Sequence, residues 1–363
     1  MPGATVVAAG NGGGDDEVVH DFSPLLLVYG SGRLERPLIV PLVPPGLDAA
    51  TSVQSKDVPL SASSFVRLYL PPGARASGDD KAAATTTKLP VVVYFHGGGF
   101  VFGSAASCVY HRFLNDLAAA TPAVAVSVDY RLAPEHPLPA AYEDSLAALK
   151  WVLSAAADEW LQAHGDLAGR VFLAGDSAGG NICHSLAMHP GVRRGGAGLK
   201  GAVLVHPWFW GREPVGGEKE HRRRWSTAAA AGTTKQRRKK HLWEFVCPGA
   251  ADGVDDPRMN PMAPGAPGLD GLACERVMVC VAEGDHLRWR GKAYAEAVAR
   301  AKEGCAAAAP MVAKQGGLAA AAAAAAVELF ESVGVGHVFH LLDPDMEEAK
   351  QLLGRIAAFV RAK

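Results

Sequence analysis

A serine acts as a nucleophile only when a neighbouring base takes its proton and a third group orients that base. The stretch VFLAGDSAGGN (171–181) carries a serine in a suggestive setting. A short apolar run passes through Gly175-Asp176-Ser177-Ala178-Gly179, a G-x-S-x-G pattern, into a stretch that reads as helix. A Cβ at either glycine would collide in so tight a turn, so the spacing predicts a strained elbow with the Ser177 hydroxyl exposed above a sheet. By itself the motif also describes a glycine-rich turn with an incidental serine.

Attack on a carbonyl creates an alkoxide, and fixed N–H donors are needed where that charge appears. HGGGFVFG (96–103) follows another apolar run, and its consecutive glycines let backbone N–H groups approach an anion. Gly98 and Gly99, with Ala178 after the serine, are the expected donors, each worth about 3–4 kcal/mol of barrier. His96 is expected to brace the loop. A phosphate loop would end in G-K-[ST], which is missing, and no helix opens on these glycines as a dinucleotide fingerprint requires.

Thirteen histidines compete to be the base. His20, His221 and His241 fall in tail or low-complexity regions, and His111, His164, His184 and His189 lie in or beside helical patterns leading away from the serine. His136 and His206 stay possible near the pocket, though packing explains each. His337, in GVGHVFHLLD, follows the run 327–334 through a Gly-Val-Gly turn, whereas His340 should point elsewhere and serve structure. Asp285, just past the run 276–282, is the acid candidate; Glu283 is the runner-up, and Asp176 is excluded because it must point away from the elbow.

These side chains need a common edge, and the apolar pattern supplies one. Runs at 89–96, 123–130, 170–177, 199–207, 276–285 and 327–334 are short and nearly continuous, as in strands buried on both faces; 65–71 alternates like a half-exposed strand. Helical patterns fall at about 108–119, 138–157, 178–189, 290–303 and 345–361. The alternation predicts an α/β fold with a mostly parallel central sheet and helices on both faces, whose ligands bind at the carboxyl ends of the strands. Ser177, Asp285 and His337 all fall on that edge.

Bulk properties narrow the class. With 36 Lys plus Arg against 37 Asp plus Glu, the net charge of −1 implies no polyanionic partner. Basic clusters at 222–224 and 235–240 allow nuclear targeting or nucleic-acid contact, but the neutral balance favours a solvated loop. No secretory leader or membrane span is apparent, and six cysteines without a C-x-x-C pair fit reduced thiols, so a cytoplasmic protein is expected. Residues 1–17 read as a disordered tail, 77–88 as a flexible connection and 305–326 as an alanine-rich insert, leaving 18–363 as one domain. No metal-ligand spacing stands out, and the chemistry needs no cofactor. Phe100, Trp208 and Val338 are the candidate pocket residues, with Phe209 and Trp210 beside them; core packing explains Trp208, Phe209 and Trp210 equally well.

Taken together, HGGGF (96–100), DYRLAPEHPLPAAYED (129–144), GDSAGGN (175–181), DDPRMNP (255–261), CVAEGDHLRWRGKAY (280–294) and GHVFHL (336–341) resemble the plant carboxylesterase family related to hormone-sensitive lipase, a branch of the α/β-hydrolases. The resemblance runs from about residue 18 to the end. It implies hydrolysis of small carboxylic esters, with Ser177, Asp285 and His337 as triad and Gly98, Gly99 and Ala178 as oxyanion donors. It also implies a cap built from about 18–50 and from the excursion 207–265. Two similar groups use the fold otherwise: the gibberellin receptor, which lacks the histidine, and the 2-hydroxyisoflavanone dehydratases. This chain departs from the family in having Val335 where an acidic residue is usual, and in its alanine-rich and arginine-rich segments.

Overall fold

The computed structural model describes residues 17–74, 87–154, 156–194, 198–220, 241–308 and 326–362. The expected tail, nearly all of the 77–88 connection, both basic clusters and most of the alanine-rich insert lie outside the described residues.

Three short strands, β1 (Val18–Phe22), β2 (Leu26–Tyr29) and β3 (Leu34–Glu35), make a small antiparallel sheet. The main sheet holds β4 (Gln54–Pro59), β5 (Phe65–Leu70), β6 (Val91–Phe95), β7 (Val124–Asp129), β8 (Val171–Asp176), β9 (Leu199–Val205), β10 (Cys274–Ala282) and β11 (Val327–Ser332). Their spatial order is β11-β10-β9-β8-β6-β7-β5-β4. Pairing is parallel from β11 to β7 and antiparallel for β7–β5 and β5–β4.

Alternate side chains of the central strands feed two cores. Val91, Val93 and Phe95 pack on the helices Ala140–Val152, Ala178–Met188 and Arg288–Ala308, whereas Val92 and Tyr94 pack on Cys108–Ala120 and Glu347–Arg361. Helices on both faces are what nearly continuous apolar strands require.

One expectation fails at β5. It is not half-exposed: Val66, Leu68 and Tyr69 are fully buried and Arg67 is only 1 % exposed. The polar position that suggested a solvent face is neutralised internally, by a bidentate pair with Asp57 at 2.6 and 2.8 Å and by the Val43 carbonyl at 2.9 Å.

Register places the functional loops. Phe95 pairs with Gly175 and Asp176 with Val205, so β6, β8 and β9 end level; Ala282 pairs with Ser332, so β10 and β11 do too. Glu283 N–H donates to the Ser332 carbonyl and Gly284 N–H to the Val335 carbonyl, both at 2.9 Å, stitching the loops beyond those two strands together.

Candidate active site

The turn between β8 and the helix Ala178–Met188 forces Ser177 to φ 52° and ψ −114°, a conformation L-residues avoid. Gly179 is the reason the elbow can be this tight. A Cβ there would lie 1.8 Å from the Phe95 carbonyl oxygen. Ser177 N–H donates to Val205 O at 2.9 Å, and its carbonyl accepts from Trp208 N–H at 2.8 Å, locking the elbow to the end of β9.

His337 Nε2 stands 3.1 Å from Ser177 Oγ, and its Nδ1 stands 2.7 Å from Asp285 Oδ2. An ionised carboxylate only accepts, so Nδ1 carries the proton and Nε2 is free to take one from the serine. Asp285 is 2 % exposed, and its Oδ1 accepts Leu287 N–H at 2.9 Å. Burial pushes its carboxyl up, but the hydrogen bond and charge of His337, with help from the Leu287 N–H, outweigh burial and hold it below its ordinary value.

Among the described residues, none accepts the N–H of Gly98, Gly99 or Ala178 through its backbone. Gly98 reaches φ 101°, and a Cβ there would lie 2.0 Å from the Phe102 carbonyl oxygen. The loop is braced from beneath. Tyr130 Oη donates to His96 O at 2.6 Å, and Ala133 N–H donates to Phe100 O at 2.8 Å. Asp129 Oδ1 accepts from Ser104 Oγ at 2.6 Å and from Ala105 N–H at 2.9 Å. The Gly97 N–H reaches Asp176 Oδ1 at 3.1 Å, and that carboxylate also accepts from the Tyr94 and Tyr110 hydroxyls at 2.8 and 3.1 Å. Asp176 therefore ties elbow to glycine loop. Its burial raises its pKa to about 6, against the pull of the Tyr94 hydrogen bond and the His337 charge. His96 stacks on Tyr130, with ring centroids 4.2 Å apart.

Of the other candidates, Glu283 takes no part in the relay; its carboxylate accepts Gly334 N–H at 2.9 Å and shapes the turn leading to His337. His136 is exposed, and His340 is buried against Phe113, Phe339 and His206. Phe100 needs correction as a pocket residue. It is 1 % exposed, its ring enclosed by Tyr130, Tyr142 and Trp208, because the positive φ of 62° turns its side chain into the core. Trp208 is 8 % exposed and stands behind Gly99, whose missing Cβ would meet Leu242 at 2.9 Å and Leu25 at 3.6 Å. Val338 lies at φ 48°, half-buried beside His337.

Two supporting residues escaped the sequence reading. Asn181 donates to Trp208 O at 3.1 Å and Arg258 O at 2.7 Å while accepting from Tyr142 Oη at 2.6 Å. Its place four residues after Ser177, on the first helical turn, was the available signal. His206, possible near the pocket though explicable by packing, accepts Val338 N–H through Nδ1 at 3.0 Å. His206, Asp285 and His337 each offer a ligand atom within 4.8 Å of one another. Both Nδ1 atoms are already hydrogen-bonded, one as donor to Asp285 and one as acceptor from Val338 N–H, so neither has a lone pair left to offer a cation.

A mostly parallel sheet with a serine elbow, a glycine loop and a Ser–His–Asp relay at its carboxyl edge defines an α/β-hydrolase. Comparison with known proteins agrees. A family model described as alpha/beta hydrolase fold matches residues 92–309, from β6 to beyond Asp285. "Probable carboxylesterase 13" of Arabidopsis thaliana is 39 % identical, over 96 % of this chain and 99 % of its own. The 2-hydroxyisoflavanone dehydratase of Glycyrrhiza echinata is also 39 % identical, over 95 % of this chain and 96 % of its own. Among solved structures, a Pyrobaculum calidifontis esterase superposes with a TM-score of 0.60 at 27 % identity, covering 85 % of this chain and 84 % of that one. The chain belongs to the α/β-hydrolase family, in the branch that holds the plant carboxylesterases.

Proposed function

We propose that the protein is a serine carboxylesterase that hydrolyses small carboxylic esters through an acyl-enzyme. The observation that carries this reading is His337, which spans Asp285 at 2.7 Å and Ser177 at 3.1 Å. Ser177 Oγ attacks the ester carbonyl as His337 Nε2 takes its proton, and the alkoxide forms against the N–H groups of Gly98, Gly99 and Ala178. His337 then protonates the leaving alcohol and activates water to release the acid, while Asp285 holds the imidazole. Esterases among both the sequence relatives and the structural neighbours support the reaction class.

The N-terminal segment and the described parts of the 207–265 excursion, 207–220 and 241–265, act in this reading as a cap. His20 and Phe22 pack on Phe245 with centroids 5.1 and 4.9 Å away, and Arg36 reaches the Val101 carbonyl at 2.7 Å. The proposed ligand is a small-molecule ester, and nucleic acid has no part in this reading. No helix among the described residues is long and apolar enough to cross a membrane. Cys108, Cys183, Cys247, Cys274 and Cys280 are free thiols, which fits the reducing cytoplasm.

Turnover of short-chain aryl esters, with an organophosphate adduct mapped to Ser177, tests the reading. Failure of both would overturn it. Because a dehydratase is equally similar in sequence, elimination of water from a 2-hydroxyisoflavanone is the second reaction to assay. A receptor reading is disfavoured, since His337 gives the serine its base.

A further inference from the structure

The relay histidine is carried on a short loop, and something must hold that loop. His337 is followed by Val338 at φ 48°, and a left-handed backbone at a β-branched residue persists only where its surroundings enforce it. The enforcing contact is the Val338 N–H donating to His206 Nδ1 at 3.0 Å. A backbone N–H cannot accept, so Nδ1 must present a lone pair, and the proton of the neutral ring is on Nε2. Protonation would erase that acceptor. The site opposes it: His206 is 1 % exposed, and burial together with the His337 charge drives its pKa down to about 3. Its ring centroid lies 5.7 Å from that of His337.

His206 also sits where the segments bearing the relay converge. Its own N–H donates to Cys280 O on β10, the strand leading to Asp285, at 2.8 Å. Two residues on, Trp208 N–H reaches Ser177 O at 2.8 Å. His206 itself lies at φ 47°, which turns the chain sharply at the end of β9.

We infer that His206 is a positioning residue, whose Nδ1 fixes the Val338 amide and thereby aims His337 at Ser177. The inference rests on the esterase reading for its kinetic consequence but not for its geometry. His206→Asn and His206→Leu are near-isosteric and differ in whether an acceptor remains for the Val338 N–H. If His206 only fills space, Leu suits the buried site better and its kcat equals or exceeds that of Asn. A positioning acceptor predicts the reverse: kcat for an aryl ester falls on the order of tenfold or more in Leu, with KM within about twofold, and Asn recovers much of the loss. Melting curves of both variants check folding. If no ester is turned over by the unaltered protein, spectra of 15N-histidine-labelled protein carry the test. They should show His206 with Nε2 protonated and Nδ1 not, and the His337 Nδ1–H resonance should move or broaden in Leu but not in Asn. Equal kcat in the two variants, or a His206 protonated at Nδ1, overturns the inference.

Discussion

At Ser177 the backbone holds a strain of about 1–3 kcal/mol, the usual cost of a non-glycine residue in a sparsely populated region. The same geometry places Oγ in reach of His337 and the following N–H toward the oxyanion position. Because His337 relies on a single acceptor at Asp285 Oδ2, the tautomer is set by that one contact. Asp285→Asn presents either an amide donor or a weaker acceptor to Nδ1, so the imidazole loses its driving orientation. The expected loss in kcat is about 10⁴-fold, with the organophosphate reaction at Ser177 slowed in parallel. Removing the base with His337→Ala should cost at least as much, and combining it with Ser177→Ala should add little, since the two act as one unit. Near-additive losses in that double variant would show that they do not.

Elements matter because loops at the ends of β6, β8, β9, β10 and β11 must arrive together. The glycine loop is the one whose conformation a single methyl should ruin. Gly98→Ala places a Cβ in a φ 101° backbone, against the Phe102 carbonyl. Activity should drop about 10²–10³-fold, the worth of an oxyanion donor, while labelling of Ser177 by a small fluorophosphonate persists at a reduced rate. A variant as active as the parent would remove Gly98 from the oxyanion site. How far such detail was legible differs by element. The strand pattern, elbow and relay order could be read because periodicity and glycine spacing are local. Roles within DYRLAPEHPLPAAYED could not: Asp129, Tyr130 and Ala133 each serve a loop about 25–35 residues earlier in the chain. Val335, odd as a letter, is ordinary in place. It is 9 % exposed and packs in the second core, while its carbonyl holds Gly284. The segment after β9 is tied down by a buried ion pair, Arg290 Nε to Glu218 Oε1 at 2.7 Å, with both side chains about 2 % exposed or less. Breaking it with Glu218→Gln should destabilise the fold by about 3–5 kcal/mol in urea unfolding, because Arg290 is left as an uncompensated buried charge.

For the whole molecule, the buried imidazoles set how acid is tolerated. Burial lowers the pKa of His184 and His206 from 6.5 to about 3, and that of His340 well below 6.5. Groups with depressed folded pKa values contribute stability above the unfolded value, and lose it as pH falls toward the folded one. From about pH 6 downward the unfolded chain therefore binds these three protons and the folded chain does not. Asp176 works in the opposite sense: with a folded pKa raised to about 6, it binds its proton in the folded state between pH 6 and 4, before the unfolded carboxyl does. Burial also lowers the pKa values of His96, His111 and His164 and raises that of Asp116, so the depressed imidazoles outnumber the raised carboxyls and unfolding free energy falls as pH drops across that window. Asp285, with its lowered pKa, adds to the loss only below its ordinary range of 3.8. His340 isolates the effect, because among the described residues neither of its ring nitrogens has a hydrogen-bond partner. His340→Leu should reduce the slope by up to one proton, at most about 1.4 kcal/mol per pH unit. Urea titrations at intervals from pH 4.5 to 8 read this directly. An unchanged slope would mean that His340 already carries its proton in the folded protein, and that the core around Phe113 admits a charge.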